Sequence, residues 1–138
     1  MDNDKVKEIF WKIYNWFWNK WKDEVLPRES DKWNEVVDDV RVVITEYDCQ
    51  MCRKIVLALL TELEERSWEN GGDNVKAYKV SKGSALTIEE KLEAVRGYGI
   101  ADLLYVIREF EESPDKYEPE VIKQIGAQLM DKGIMLIY

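Results

Sequence analysis

Apolar and polar positions alternate along this chain with the spacing of helices. In six stretches, apolar residues recur every three or four positions, which places them on one face of a helix. The predicted helices cover residues 4–24, 31–47, 49–66, 87–96, 100–113 and 119–132. The sequence therefore predicts a mostly α-helical fold of about six helices in a compact, bundle-like domain.

The predicted helix ends carry recognisable signals. Asp4 and Asp48 are predicted N-caps, and Thr87 with Glu90 forms a capping box, in which each residue satisfies a free amide of the other. Pro119 suits a first helical turn, and Gly133 suits a helix end.

The chain is predicted to form a single domain over residues 1–138. A loop over residues 69–85 divides it into possible subdomains, 1–68 and 86–138. The pattern within this loop also allows one short strand or hairpin near residues 75–80. The apolar tail, residues 134–138, is expected to dock back on the domain, with a short strand as one form.

The first predicted helix is rich in aromatic residues. Residues 9–21, IFWKIYNWFWNKW, hold seven of the sixteen aromatic residues in the chain. On a wheel of 100° per residue, the apolar side chains span about 220°, whereas covering one core needs about 100°. Phe10 falls on the core side of that wheel, with Ile13 and Phe17. So wide an apolar arc indicates a helix that packs on more than one side.

Two interpretations explain this arc. In one, the helix is buried centrally, between the next two helices and the C-terminal helices. In the other, Trp11, Tyr14 and Trp18 form a contact surface for another protein or for a second copy of the chain, because aromatic residues are enriched among interface hot spots. A membrane-surface role is disfavoured, since the polar strip of the helix is not strongly basic.

The charge of the chain bears on its partners. The net charge is −8 and the pI is about 4.7, which disfavours direct binding of nucleic acid and favours basic protein surfaces. Residues 109–120 hold six acidic residues and one lysine. They are either a solvated surface or an acidic face that occupies the basic groove of a nucleic-acid-binding protein. The candidate partner-binding residues in this run are Glu109, Glu111, Glu112, Asp115 and Glu118.

Cys49 and Cys52 form a C-x-x-C pair at the start of the third predicted helix. A structural role for the pair is one interpretation, because cysteine is often buried. A redox role is another, since a helix N-terminus lowers the pKa of a thiol, although the βαβ context typical of redox motifs is absent. A zinc site needs four ligands, and without histidine these thiols could supply them only if two chains met.

Nothing in the sequence indicates an enzyme or a cofactor. The chain has no histidine, which removes the commonest general base, and no glycine-rich phosphate loop. The N-terminus lacks the features of a signal peptide, and no apolar run reaches membrane-spanning length. These observations predict a cytoplasmic, non-enzymatic protein without a membrane partner.

The first half of the chain resembles a group of short, uncharacterised proteins carried by prophages and other mobile elements of low-GC Gram-positive bacteria. The resemblance covers about residues 5–66 and rests on four segments: FWKIYNWFWNKW, DKWNEVVDDV, EYDCQMC and LLTELEER. It implies a phage or mobile-element protein that acts in the cytoplasm of a bacterial host. Small acidic proteins from such sources often inhibit host defence, and anti-CRISPR proteins are an example.

Together these observations lead to three functional hypotheses. The first is a protein-binding inhibitor of a host nucleic-acid-binding defence protein, similar to anti-CRISPR proteins. The second is a self-associating structural or regulatory protein with an aromatic dimer seam. The third is a thiol redox protein or an intersubunit zinc protein.

Overall fold

The computed structural model describes residues 1–68 and 74–134, and within them the chain forms helices and no strands. Helix α1 (residues 3–21) has three sections: Asn3–Lys12, a π-helical section Ile13–Trp18, and Asn19–Trp21. The following helices are α2 Lys32–Glu46, α3 Gln50–Arg66, α4 Val75–Lys79, α5 Ile88–Arg96, α6 Ile100–Glu112 and α7 Pro119–Asp131, with a 3₁₀ turn at Pro114–Lys116. The predicted mostly α-helical fold is confirmed.

The short strand considered near residues 75–80 is a helix instead. Asn74 caps its first turn, since its side-chain oxygen accepts a hydrogen bond from the Ala77 N–H at 3.0 Å. Ala77 and Val80 are buried, so the turn is held by packing as well as by its cap. Residues 69–73 of the predicted loop and residues 135–138 of the predicted tail lie outside the described residues.

Several helix ends match their local signals. Thr87 and Glu90 form the predicted capping box, with both reciprocal hydrogen bonds present. Gly133 ends α7 at a φ of 93°, and the N–H groups of Gly133 and Ile134 donate to the carbonyls of Met130 and Leu129. This is the paired hydrogen bonding of a Schellman motif.

Two predicted caps are wrong by a few residues. The N-cap of α1 is Asp2, which accepts from the Lys5 N–H at 2.8 Å, and Asp4 lies inside the first turn. The N-cap of α3 is Cys49, and Asp48 precedes it. In both cases the neighbouring residue has the extended backbone that an N-cap requires.

The centre of the fold is α6, which contacts α2, α3, α4 and α7, while α5 packs on α7. Helix α6 can take this place because most of its circumference is apolar. Its buried apolar residues are Ile100, Ala101, Leu103, Leu104, Val106 and Ile107. Helix α1 packs mainly on α2, so the interpretation that α1 lies at the centre is wrong. One continuous core joins both halves of the chain, from Ile9 to Ile134.

A buried ion pair also joins the two halves. The Arg108 guanidinium of α6 donates to both carboxylate oxygens of Glu64 in α3, at 2.8 and 3.2 Å. Glu64 has no solvent exposure. Burial raises the pKa of Glu64, and the hydrogen bonds and positive charge of Arg108 oppose that rise.

Candidate functional site

The π-helical section of α1 determines which side of the helix is buried. Four residues at intervals of four are buried: Ile9, Ile13, Phe17 and Trp21. On a regular α-helix with 3.6 residues per turn, each such step advances the side chain by about 40° around the axis, so the row would drift off one face. A π-helix has wider turns, in which four residues fall short of a full turn. The π section therefore brings the row back into line with the core.

Two asparagine side chains support the widened turns. The amide of Asn15 donates to the carbonyl of Trp11 at 3.1 Å, and that of Asn19 donates to the carbonyl of Asn15 at 3.2 Å. In an α-helix these carbonyls accept from the backbone N–H groups of the same asparagines. In the π section the backbone N–H groups donate to the carbonyl five residues earlier instead of four, as the Asn19 N–H does to the Tyr14 carbonyl. The asparagine side chains thus satisfy carbonyls that this shift leaves without their usual backbone donor.

Three aromatic side chains of α1 are left on the solvent side. Phe10 is 51% exposed, Trp11 is 63% exposed and Tyr14 is 59% exposed. They lie within two turns of one helix, away from the buried row. We refer to these three residues as the α1 aromatic surface. The largest contiguous apolar patch of a monomeric protein often has a binding role.

Trp18, the third aromatic residue predicted to contact a partner, is held within the structure. Its ring is half-buried, and the Arg66 guanidinium of α3 lies 5.0 Å from the ring centroid. Arg66 is itself fixed, because it pairs with Glu62 at 3.0 Å and donates to the Lys22 carbonyl at 2.8 Å. Trp18 therefore borders the α1 aromatic surface and anchors the end of α1 to α3.

The exposure of Phe10 differs from the sequence prediction. A uniform 100° wheel places Phe10 beside Ile13 and Phe17, on the core side. The π section rotates the later residues back towards Ile9, and Phe10 is then left at the edge of the buried face. The signal for this arrangement is the strict four-residue spacing of the buried row, which is too long for a regular helix to keep on one side.

The five acidic residues predicted to contact a partner have different environments. Glu109 pairs with Lys116, and its side chain is largely buried. Glu118 accepts a hydrogen bond at 2.8 Å from the ammonium group of Lys91, which is buried, and this bond lowers the pKa of Glu118. The remaining three are exposed at the end of α6 and in the 3₁₀ turn: Glu111, Glu112 and Asp115.

Acidic residues elsewhere in the chain also form ion pairs. Asp39 accepts from Lys20 at 2.8 Å and from the indole N–H of Trp21 at 2.9 Å, which ties α1 to α2. Glu93 pairs with Arg96 at 2.5 Å on the surface of α5. Part of the acidic content of the sequence is thus engaged in contacts within the fold.

The cysteine pair lies at the junction of α2 and α3. The Cys49 sulfur accepts a hydrogen bond from the Cys52 N–H at 3.5 Å, so Cys49 acts as the N-cap. The Cys52 thiol is buried and donates to the Val43 carbonyl at 3.8 Å. Both cysteines are free thiols.

Within residues 1–68 and 74–134, no cluster of three or more cysteine or acidic side chains is arranged to hold a metal ion. Among the helices of this same part of the chain, none has the length and apolar character needed to cross a membrane. No protein-family model matches the sequence, and no curated protein or solved structure matches it.

Proposed function

We propose that this protein is a non-enzymatic binding module whose contact with another protein is centred on the α1 aromatic surface. The observation that carries this proposal is the exposure of Phe10, Trp11 and Tyr14 on one side of a helix whose opposite side is fully buried. Tryptophan and tyrosine are enriched among the few residues that supply most of the energy of protein interfaces.

The size of the surface supports a role as the anchor of a larger interface. Aromatic side chains each bury about 150–250 Å² when covered, so the exposed parts of these three amount to roughly 300–400 Å². At about 25 cal/mol per Å², covering them contributes up to about 10 kcal/mol. Association itself costs about 4–15 kcal/mol. The partner must therefore also contact neighbouring residues to form a stable complex.

The rigidity of α1 favours binding. The buried row fixes one side of the helix against α2, and Arg66 fixes Trp18 at its end. Because the aromatic side chains project from a packed helix, the backbone loses little conformational freedom when a partner binds. Pre-organisation of this kind improves affinity by lowering the entropic cost of association.

The charge near α1 allows binding through the α1 aromatic surface to be distinguished from binding through an acidic face. Residues 3–24 contain five lysines and four acidic residues, whereas the whole chain has a net charge of −8. The affinity of a contact centred on α1 should therefore fall only modestly as salt rises. A contact through Glu111, Glu112 and Asp115 should weaken steeply as salt rises, because exposed charges are screened.

We further propose that the protein uses this contact to inhibit a host nucleic-acid-binding defence protein. Two features support it: the resemblance of residues 5–66 to mobile-element proteins, and the acidic character of the chain as a whole. In this form the α1 aromatic surface supplies the affinity, and the exposed acidic residues at the end of α6 speed association with a basic partner.

The test is affinity capture from a Gram-positive host lysate, followed by binding measurements with the purified partner. The baits are the intact chain, the double variant Trp11→Ser/Tyr14→Ser, and the control Val75→Ser, which removes an exposed apolar side chain from α4. Serine has nearly the same helix propensity as tryptophan and tyrosine, so the double variant should keep the helix.

We expect one host protein at stoichiometric level with the intact chain and with Val75→Ser, and at least a tenfold weaker interaction with the double variant. Equal affinity for all three baits would refute a site on the α1 aromatic surface. If binding is lost only in a variant in which Glu111, Glu112 and Asp115 are neutralised, the contact site lies on these acidic residues instead. Recovery of the bait alone, at twice its mass, would support self-association.

A further inference from the structure

The cysteine pair at the start of α3 has features that binding through α1 does not use. Cys49 has an extended backbone, with φ of −146° and ψ of 157°, and its side chain is partly exposed. Cys52 lies three residues later, on the buried side of the first turn, with no solvent exposure. Cys49 is thus the more exposed residue of the pair, and Cys52 is enclosed in the core.

The two cysteines lie within one helical turn of each other at the start of α3. The hydrogen bond from the Cys52 N–H holds the Cys49 sulfur over the first turn of α3. Residues three apart on a helix have Cβ atoms about 5–6 Å apart, and a disulfide requires about 3.5–4.5 Å. The Cys49 carbonyl accepts a hydrogen bond from the Arg53 N–H, but Cys49 is the N-cap and its φ and ψ are extended, so its Cβ is not held at this helical spacing.

The environments of the two sulfurs give them different chemical roles. Cys49 is partly exposed, whereas Cys52 is inaccessible to solvent. Burial and the neighbouring Cys49 raise the pKa of Cys52 to about 11, so its thiol is protonated at neutral pH. Cys49 is therefore the sulfur that reacts first, and Cys52 is the resolving thiol.

We propose that Cys49 and Cys52 form a thiol–disulfide exchange site whose substrate is a low-molecular-weight disulfide. The Cys49 thiolate attacks one sulfur of the substrate, forms a mixed disulfide and releases the first thiolate, which takes up a proton. The Cys52 thiol then loses its proton and attacks the Cys49 sulfur, which releases the second substrate thiol. One disulfide is reduced to two thiols, and one intramolecular disulfide forms between Cys49 and Cys52.

This chemistry affects the junction between α2 and α3. The reduced Cys52 thiol donates to the Val43 carbonyl near the end of α2. A disulfide has no S–H group, so oxidation removes this contact and ties the N-cap to the first turn of α3. The site is separate from the α1 aromatic surface and does not depend on the binding function proposed for it.

The test is to incubate the reduced, full-length protein with oxidised glutathione, to block remaining thiols by alkylation, and to measure the intact mass. The expected product of the unmodified chain has lost two hydrogen atoms, carries no glutathione and resists alkylation. Cys52→Ala is expected to retain one glutathione on Cys49. Cys49→Ser is expected to remain unmodified over the same period, because the Cys52 thiol is buried.

Two results would overturn the proposal. One is a chain that keeps both thiols, or keeps bound glutathione, after prolonged incubation with excess oxidised glutathione. The other is modification of Cys49→Ser as fast as the unmodified chain. Circular dichroism of both variants before the reaction verifies that each is folded, and Cys52→Ser provides a second resolving-thiol variant if Cys52→Ala is not.

Discussion

Removal of Arg108 should destabilise the fold strongly, because it leaves a buried carboxyl group without its partner. Glu64 is inaccessible to solvent and accepts two hydrogen bonds from Arg108. Breaking a buried ion pair by removing one member typically costs about 3–5 kcal/mol. Domains have a total stability of about 5–15 kcal/mol, so Arg108→Met should remove a fifth or more of it. For a chain of this size the melting temperature should fall by about 10–20 °C.

The loss should depend on pH in a direction that follows from Glu64. Its pKa in the folded protein is raised above the ordinary value of 4.5, chiefly by burial, and Arg108 opposes the rise. A group with a raised folded pKa contributes stability that is present below its unfolded pKa and lost as pH rises through the folded pKa. Without Arg108 the folded pKa rises further. The cost of Arg108→Met should therefore be greatest near pH 7 and should shrink towards pH 4, where Glu64 is protonated in both states.

Urea denaturation followed by circular dichroism at pH 7 and at pH 4.5 measures both effects. The matched control is Arg96→Met, which removes an arginine from the exposed pair with Glu93 and should change stability little. The double variant Arg108→Met/Glu64→Gln should recover part of the loss at pH 7, because it removes the unpaired charge. A loss below about 1 kcal/mol at pH 7, or one that grows on acidification, would refute this account of the pair.

Two further substitutions test a helix end and a surface ion pair. Gly133→Ala should lower the free energy of unfolding by about 1–2 kcal/mol in urea denaturation, because φ is 93° and the new Cβ would collide with the Arg41 guanidinium. The control Gly97→Ala should cost far less, because the nearest atom to its new Cβ is 3.7 Å away. Equal losses for the two variants would contradict the reasoning. Lys91→Met should raise the pKa of Glu118 in a carbon-13 NMR titration, since the Lys91 hydrogen bond is the main cause of its lowering. A carboxyl group with a lowered pKa in the folded state contributes stability that is lost as the pH falls through that pKa. The loss of stability on acidification should therefore be smaller in Lys91→Met than in the unmodified chain. An unchanged titration of Glu118 would show that Lys91 does not control its pKa.

The positions of the helices were largely predictable from the sequence, because the signals that start and stop a helix are local. The capping box at Thr87, the first-turn proline at 119 and the stop at Gly133 all function as the pattern indicates. The predicted break after Tyr47 also separates α2 from α3. Each of these features involves residues within a few positions of one another, so neighbouring residues carry the necessary information.

The aromatic content of α1 predicted that Trp11 and Tyr14 stay exposed as a contact surface; both are exposed, and their contact with a partner stays a prediction. The sequence did not reveal the exposure of Phe10 or the partial cover on Trp18. Phe10 is displaced by the π section, and Trp18 is covered by Arg66, which lies 48 positions later in the chain. A helical wheel with a constant angle per residue represents neither the π section nor a contact with a distant residue.

Only the tertiary structure decided which helix lies at the centre and which charges are engaged within the fold. Helix α6 is central because it contacts α2, α3, α4 and α7, while α1 packs mainly on α2. Glu64 and Glu118 are engaged by Arg108 and Lys91, which lie far away in sequence. Helices form from local hydrogen bonds, and the sequence therefore indicated most of their positions, with errors at Asp4, Asp48 and residues 75–79. The burial of each face depends on partners from distant segments, and that information exists only when the whole chain is packed.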